Sequence, residues 1–301
     1  MTMVILSRRN CGLSECTCTY MVAMAIAALM ILIFNVTVHH VFGYHFTHSF
    51  FSYTGVCMLF KYMNSISLLM AVWFTVMFTF DRYVAICCER LKTKYCTVKT
   101  AAAVLMSITA LVCLESIPFL FAYEPEKIID NLQWGCRTKL IFFTSPLGVA
   151  FSWLHSIFVP WIPFSLMLLF NCLTIRRILF ANKIRRAIRG RNIECQRDEE
   201  VESRRKSIIL LFTISSSFIL LWLTAAVSFL STRITNISHY RGDFAAPAYI
   251  ATEAGYMLMY LSSCTNVCIY AATQSKFRHE LKEVLTFPWS YLLILVNRKE
   301  K

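Results

Sequence analysis

Charge is scarce in this chain. Asp, Glu, Lys and Arg make up 16% of its 301 residues, where an ordinary soluble domain carries about 25%. That shortage argues against a water-soluble globular fold. Glycine and proline are few as well, at 8 and 7, which leaves little room for long loops. Acidic residues are the scarcest charged class, 17 against 30 basic ones, for a net charge of +13. The sequence also lacks a phosphate-binding loop, a G-x-S-x-G elbow and an H-E-x-x-H pair, so no enzyme activity and no cofactor are expected. Residues 1–10 hold too short an apolar run for a signal peptide, and their basic residues follow that run instead of preceding it.

Apolar residues, at 57%, fill the space that charge leaves. They gather into runs of about 20 or more, the length a helix needs to cross a hydrocarbon core about 30 Å thick. Six such runs are read, at 20–42, 56–86, 101–122, 150–175, 207–230 and 247–272. Each is long and lacks the alternation of a barrel strand, so each is expected to be a helix. The expected fold is all-α, a multi-pass transmembrane helical bundle.

The loops set its orientation. Alternate segments between the runs carry 23 Lys and Arg on one side and 5 on the other. The positive-inside rule assigns the richer side to the cytoplasm, which makes both termini cytoplasmic. The basic charge therefore reads as topology and contact with the lipid bilayer, and no nucleic-acid partner is expected. The one long polar loop, 176–206, is either a solvated extension of two helices or a docking surface for a cytoplasmic partner. In the short tail, 286–301, the run Tyr291–Val296 is too short to span and belongs at the interface.

The second run ends in Asp81-Arg82-Tyr83-Val84-Ala85-Ile86-Cys87. An acid and a base at the inner end of a transmembrane helix are costly unless paired or functional. A snorkelling Arg beside its counter-ion would account for the pair but not for the residues around it. The segment resembles the signature that closes the third helix of rhodopsin-like G-protein-coupled receptors. Further along, Phe218-Ile219-Leu220-Leu221-Trp222 resembles the Phe-x-x-x-Trp core of their sixth helix. Asn266-Val267-Cys268-Ile269-Tyr270 resembles the Asn-Pro-x-x-Tyr of their seventh, with Val267 for the proline, and Pro163 fits the fifth-helix proline. Cys18 to Ala25, Arg204 to Ile208 and Cys264 to Tyr270 look like the orphan receptors related to G-protein-coupled receptor 139.

The resemblance implies a seven-transmembrane receptor domain over 1–285 in the plasma membrane. Its expected partners are a heterotrimeric G protein and an extracellular small molecule or peptide. Aromatic amino acids or short peptides are the implied ligands, and Gq the implied G-protein type. The implied coupling residues are Asp81, Arg82, Tyr83, Phe218, Trp222, Asn266 and Tyr270. The implied pocket residues are Lys61, Asn64, Leu68, His155, Trp222, Phe229, Glu253 and Tyr260. The resemblance also implies a disulfide between Cys57 and Cys136. Cys57 lies 25 residues before Arg82, about 37 Å of helix, so both cysteines fall outside, where oxidation is permitted.

The departures from the family carry expectations of their own. Met1–Ile5 reads as only the inner end of a first helix, so helices two to seven are expected with helix one cut short. Ala28 stands where the family has a sodium-binding Asp, and Asn64 where amine receptors carry an acid. Arg204 takes the sixth-helix position that often supplies a carboxylate lock, which leaves Asp81 as the resting partner of Arg82. Glu115, inside the fourth-helix run, should be paired or face the bundle interior. His39, His40, His45 and His48 crowd an outer loop, but no Cys or carboxylate completes a metal set. Asn236 opens an outward glycosylation sequon; Asn35 opens another too near a span to count. A truncated receptor that does not signal is one alternative. A six-helix transporter or channel is another, but no inverted repeat or series of buried charges supports it.

Overall fold

The computed structural model describes residues 14–42, 45, 50–188, 198–235, 247–283 and 286. Met1–Ile5, expected to be the inner end of a first helix, the sequon at Asn236 and the tail from 287 lie outside these residues. Helix α1 spans Glu15–Ile31. Ser14 caps it, its hydroxyl accepting from the Thr17 amide at 3.4 Å. The chain continues in wider i→i+5 turns over Leu32–Phe42. The Thr37 hydroxyl donates to the Leu32 carbonyl at 3.1 Å, satisfying an oxygen in that loosened ladder.

α2, at Thr54–Cys87, is the central element and packs against α1 and most of the helices that follow. A short α3 (Glu89–Tyr95) leads to α4 (Val98–Ser116), whose cap Thr97 accepts from the Thr100 amide at 3.2 Å. A tighter turn at Ile117–Leu120 ends that helix on Pro118.

The outer segment that follows folds as a twice-paired hairpin. Strands β1 (Tyr123–Glu124) and β4 (Arg137–Thr138) pair antiparallel, and inside them so do β2 (Lys127–Ile129) and β3 (Leu132–Trp134). Asp130 and Asn131 both hold positive φ, at 52° and 59°, the pattern of a two-residue hairpin turn. The Cys57–Cys136 disulfide ties this hairpin to α2. The Gly135 amide donates to the Ser52 carbonyl at 2.7 Å, the Thr54 hydroxyl donates to the Gly135 carbonyl at 2.8 Å, and Tyr53 stacks on Trp134 at 4.5 Å.

After α5 (Leu140–Thr144), α6 (Pro146–Ser156) starts on the Ser145 cap with Pro146 in its first turn. It passes through wide turns at Ile157–Trp161, which carry Pro160 inside and Pro163 just beyond, into α7 (Ile162–Ile188). α8 spans Asp198–Thr235 and α9 spans Pro247–Thr273. A further helix, α10, covers 275–283. α7 and α8 thus run past the expected span ends at 175 and 207, so much of the polar loop is helix continued beyond the apolar core.

Among the described residues five helices are long and apolar enough to cross a membrane: Glu15–Phe42, Thr54–Cys87, Val98–Leu120, Pro146–Ala181 and Arg205–Ser231. The sixth expected span forms α9 but falls short of that apolar standard. Its sequence interleaves Glu253, Ser262, Ser263, Thr265 and Asn266 among apolar residues. Among the described residues the core is a continuous cluster running from Cys16 and Tyr20 through Phe74, Phe78 and Trp222 to Tyr270 and Phe277. Large apolar side chains are also exposed outward, such as Met106 and Leu111 on α4 and Leu220 on α8. For a water-soluble surface these would be costly; for a lipid-facing one they are required. The protein is an all-α multi-pass transmembrane bundle.

Candidate functional site

Helix phase brings several elements around one cavity toward the outer end of the bundle, with a volume of about 270 Å³. α2 supplies Lys61, Asn64, Ser65 and Leu68, spaced so that they share a face. α6 supplies His155 and Ser156, with Val159 from the wide turn after it. α8 supplies Phe229, and α9 supplies Glu253, Tyr256 and Tyr260. The wide outer turns of α1 present Asn35 and His40, five residues apart, to the same space, and β1 adds Tyr123. Burial pushes the Tyr123 phenol up to about 12.

Lys61, Asn64, Leu68, His155, Phe229, Glu253 and Tyr260, all expected in the pocket, line this cavity. Trp222, also expected there, does not. It lies two turns below Phe229 on α8, about 10 Å deeper. It is 2% exposed and stacks on Phe218 at 4.7 Å. It lines instead a narrow space of about 10 Å³ that also touches Ala28, Thr75, Ser262 and Asn266. No carboxylate lines that space.

Lys61 on α2 and Glu253 on α9 face the upper cavity with opposite charge. Neither has a hydrogen bond or ion pair with a described residue. The carboxamide oxygen of Asn64 is likewise buried without a hydrogen-bond partner. A buried oxygen left so costs on the order of 1–3 kcal/mol, and a native fold keeps few of them. Glu115 of α4 meets His155 at 2.8 Å between Oε1 and Nδ1, which meets the expectation that it be paired. That bond fixes the imidazole ring, which also lies edge-on to Phe119 at 4.9 Å. His40 reaches the Tyr260 hydroxyl at 3.2 Å. Asn35 is buried and donates to Ser67 at 3.2 Å, which takes it out of reach of glycosylation.

The other end of α2 holds the second cluster. Asp81 is fully buried and Arg82 nearly so. Arg82 is ion-paired to Asp81, its Nε donating to Oδ2 at 3.0 Å, and its Nη1 reaches the Ser207 hydroxyl of α8 at 3.4 Å. The Cys16 thiol of α1 donates to the other carboxylate oxygen at 3.1 Å. Cys96, between α3 and α4, approaches the Asp81 carbonyl at 4.0 Å. Burial, with Asp81 adding to it, pushes the Cys96 thiol up to about 11, and burial also raises Tyr95 beside it. Tyr83 turns the other way and stacks on Phe170 of α7 at 5.8 Å. Asn171, one helical step further, donates to Ser215 of α8 at 2.7 Å. Tyr270 is buried and edge-on to Phe277 of α10 at 5.8 Å. The side chain of Arg204 lies outside the described residues.

Several members of these clusters escaped the sequence reading. Tyr256 carries the simplest missed signal, being one turn from Tyr260 on one face of α9. His40 was weighed only as part of a histidine-rich loop. Cys16 had no signal, since a thiol is an uncommon partner for a carboxylate and the two are 65 residues apart. Among the described residues no cluster of His, Cys, Asp and Glu could hold a metal ion.

Residues 1–270 match the family model described as 7 transmembrane receptor (rhodopsin family).

Proposed function

The chain belongs to the rhodopsin family of seven-transmembrane receptors, and from that premise we propose that it binds a small zwitterion or short peptide at its outer cavity and activates a heterotrimeric G protein. The observation that carries this reading is the pair of unpaired opposite charges, Lys61 and Glu253, facing one cavity of about 270 Å³. That volume is near the lower end for ligand sites. Lys61 takes the ligand carboxylate and Glu253 its ammonium group. Asn64 cannot supply the anion that amine receptors use, and Glu253 supplies it from α9 instead. Phe229, Tyr256 and Tyr260 offer an aromatic wall, which suits an aromatic amino acid or a peptide with an aromatic end.

Agonist binding favours a state in which the inner end of α8 moves away from α2. Arg82 then leaves Asp81 and Ser207 and meets the G protein, of the Gq type, at the plasma membrane. Phe218 and Trp222 form the packed pivot, while Asn266 and Tyr270 hold α9 beside it. The experiment is aromatic-amino-acid-dependent calcium release in cells, with surface expression measured in parallel. Arg82→Ala is expected to abolish release at undiminished expression. Undiminished signalling by that variant would remove Arg82 from this role.

A further inference from the structure

A second large concavity lies at the cytoplasmic end of the bundle, on the far side of Tyr83 from the Asp81–Arg82 pair. It sits between the ends of α2 and α7 and measures about 780 Å³. Arg176, Arg177 and Lys183 face it, Tyr83 closes one side, and no carboxylate lines it. None of the three cations has an ion-pair partner among the described residues. Leu179 and Phe180 complete the wall, with 62% and 57% of their surfaces exposed.

Helix phase fixes which way this groove looks. α7 turns Asn171 and Thr174 inward; Asn171 bonds Ser215 of α8, and Thr174 is fully buried. At about 100° per residue, Arg176, Phe180 and Lys183 lie on the other side of α7 from that contact. The groove therefore opens away from α8, on the outer flank of the bundle. It does not open into the cleft where Arg82 meets Ser207. Exposed Leu and Phe interleaved with cations are the pattern of a segment lying in a membrane interface. This is also the end to which 23 of the 30 basic residues belong, the side facing the anionic leaflet.

We propose that this groove binds the phosphorylated headgroup of an anionic inner-leaflet phospholipid. Arg176 and Arg177 grip phosphate oxygens through their planar guanidinium groups, and Lys183 adds a point charge. Leu179 and Phe180 lie against the start of the acyl chains. The bound lipid neutralises three cations that the protein itself leaves uncompensated.

The test uses the full chain in phosphatidylcholine nanodiscs doped with phosphatidylinositol 4,5-bisphosphate, with bound lipid counted by native mass spectrometry. The variant Arg176→Gln/Arg177→Gln/Lys183→Gln is compared with Arg90→Gln/Lys92→Gln/Lys94→Gln, which removes three exposed cations of α3 from the same membrane side. All six side chains are exposed, so both variants leave the packed faces intact; the single Arg177→Gln provides a milder step. A cation bonded directly to the headgroup is worth roughly tenfold, so the groove variant should lose about a hundredfold or more in apparent affinity. Arg177→Gln should lose roughly tenfold, and the α3 variant, whose cations touch no bound headgroup, should stay within about threefold of the parent. Equal losses in the two triple variants would reveal diffuse attraction and overturn the site. Lipid retention by the groove variant with loss of G-protein activation would assign the surface to the G protein and overturn it too. So would soluble inositol trisphosphate binding as tightly as the lipid, since acyl chains would then contribute nothing.

Discussion

Lys61 illustrates what a single residue can decide here. On the proposed reading the Lys61 ammonium has no ion-pair partner among the described residues in the empty cavity, and a ligand carboxylate supplies one. Lys61→Gln should therefore raise the agonist concentration needed for calcium release by about 10–100-fold for a free carboxylate ligand, the loss of a charge-assisted hydrogen bond worth about 1.5–3 kcal/mol. The methyl ester of the same ligand should respond nearly alike to parent and variant. A full shift for the ester as well would place the carboxylate elsewhere. At the inner end, Cys96 makes a pH-dependent contribution. Its thiol is raised from 9.0 to about 11 in the folded protein, so the folded state keeps a proton that the unfolded chain releases. The stabilisation is complete below pH 9 and is lost as pH rises through about 11. Thermal unfolding in nanodiscs should show the melting temperature falling over that window, and Cys96→Ser should fall less steeply.

Elements repeat the theme at a larger size, with close packing where two helices must share a face. Gly255 of α9 lies so near α8 that an added Cβ would meet the Ala225 amide nitrogen at 2.8 Å and its Cα at 2.9 Å. Both are backbone atoms and cannot step aside. Gly255→Ala should thus force α8 and α9 apart at a cost of about 1–3 kcal/mol, seen as lower surface expression and a lower melting temperature in detergent. Unchanged stability would show that the helices slide freely. The spans themselves were readable from runs of apolar residues, because lipid imposes one length and one polarity on each. Their ends were less readable: α7 and α8 continue into polar sequence, where helix formation no longer depends on burial against lipid. The wide turns after Ile31 carry no proline, so nothing in the sequence marks them. Asp130-Asn131 carries a hairpin signal, a polar pair able to hold positive φ, but two short polar residues alone do not mark a strand on either side. Seven of the eight pocket residues implied by family positions line one cavity, while Trp222, two helical turns deeper on α8, lines the narrower space below it.

At the scale of the whole molecule, the bundle divides unevenly. The hairpin that bears Tyr123 is bound to α2, the helix that also bears Lys61 and Arg82, by the disulfide and the Thr54 hydroxyl, and to Ser52 just before it by a backbone hydrogen bond. α8 and α9 pack on one another and carry Phe229, Glu253, Tyr256 and Tyr260 across the cavity. On the proposed reading the first wall is the stator, and the opposite wall turns with α8. A contact to the stator holds the ligand equally well before and after the turn, and such a contact moves no equilibrium. Lys61 should accordingly govern affinity alone, whereas Glu253 should govern efficacy. Glu253→Gln is expected to lower the maximal calcium response to a saturating agonist, and Lys61→Gln only the concentration at which that maximum is reached. If those variants behave so, the disulfide that fixes the hairpin decides which half of the pocket can make a ligand an agonist and which half can only retain it.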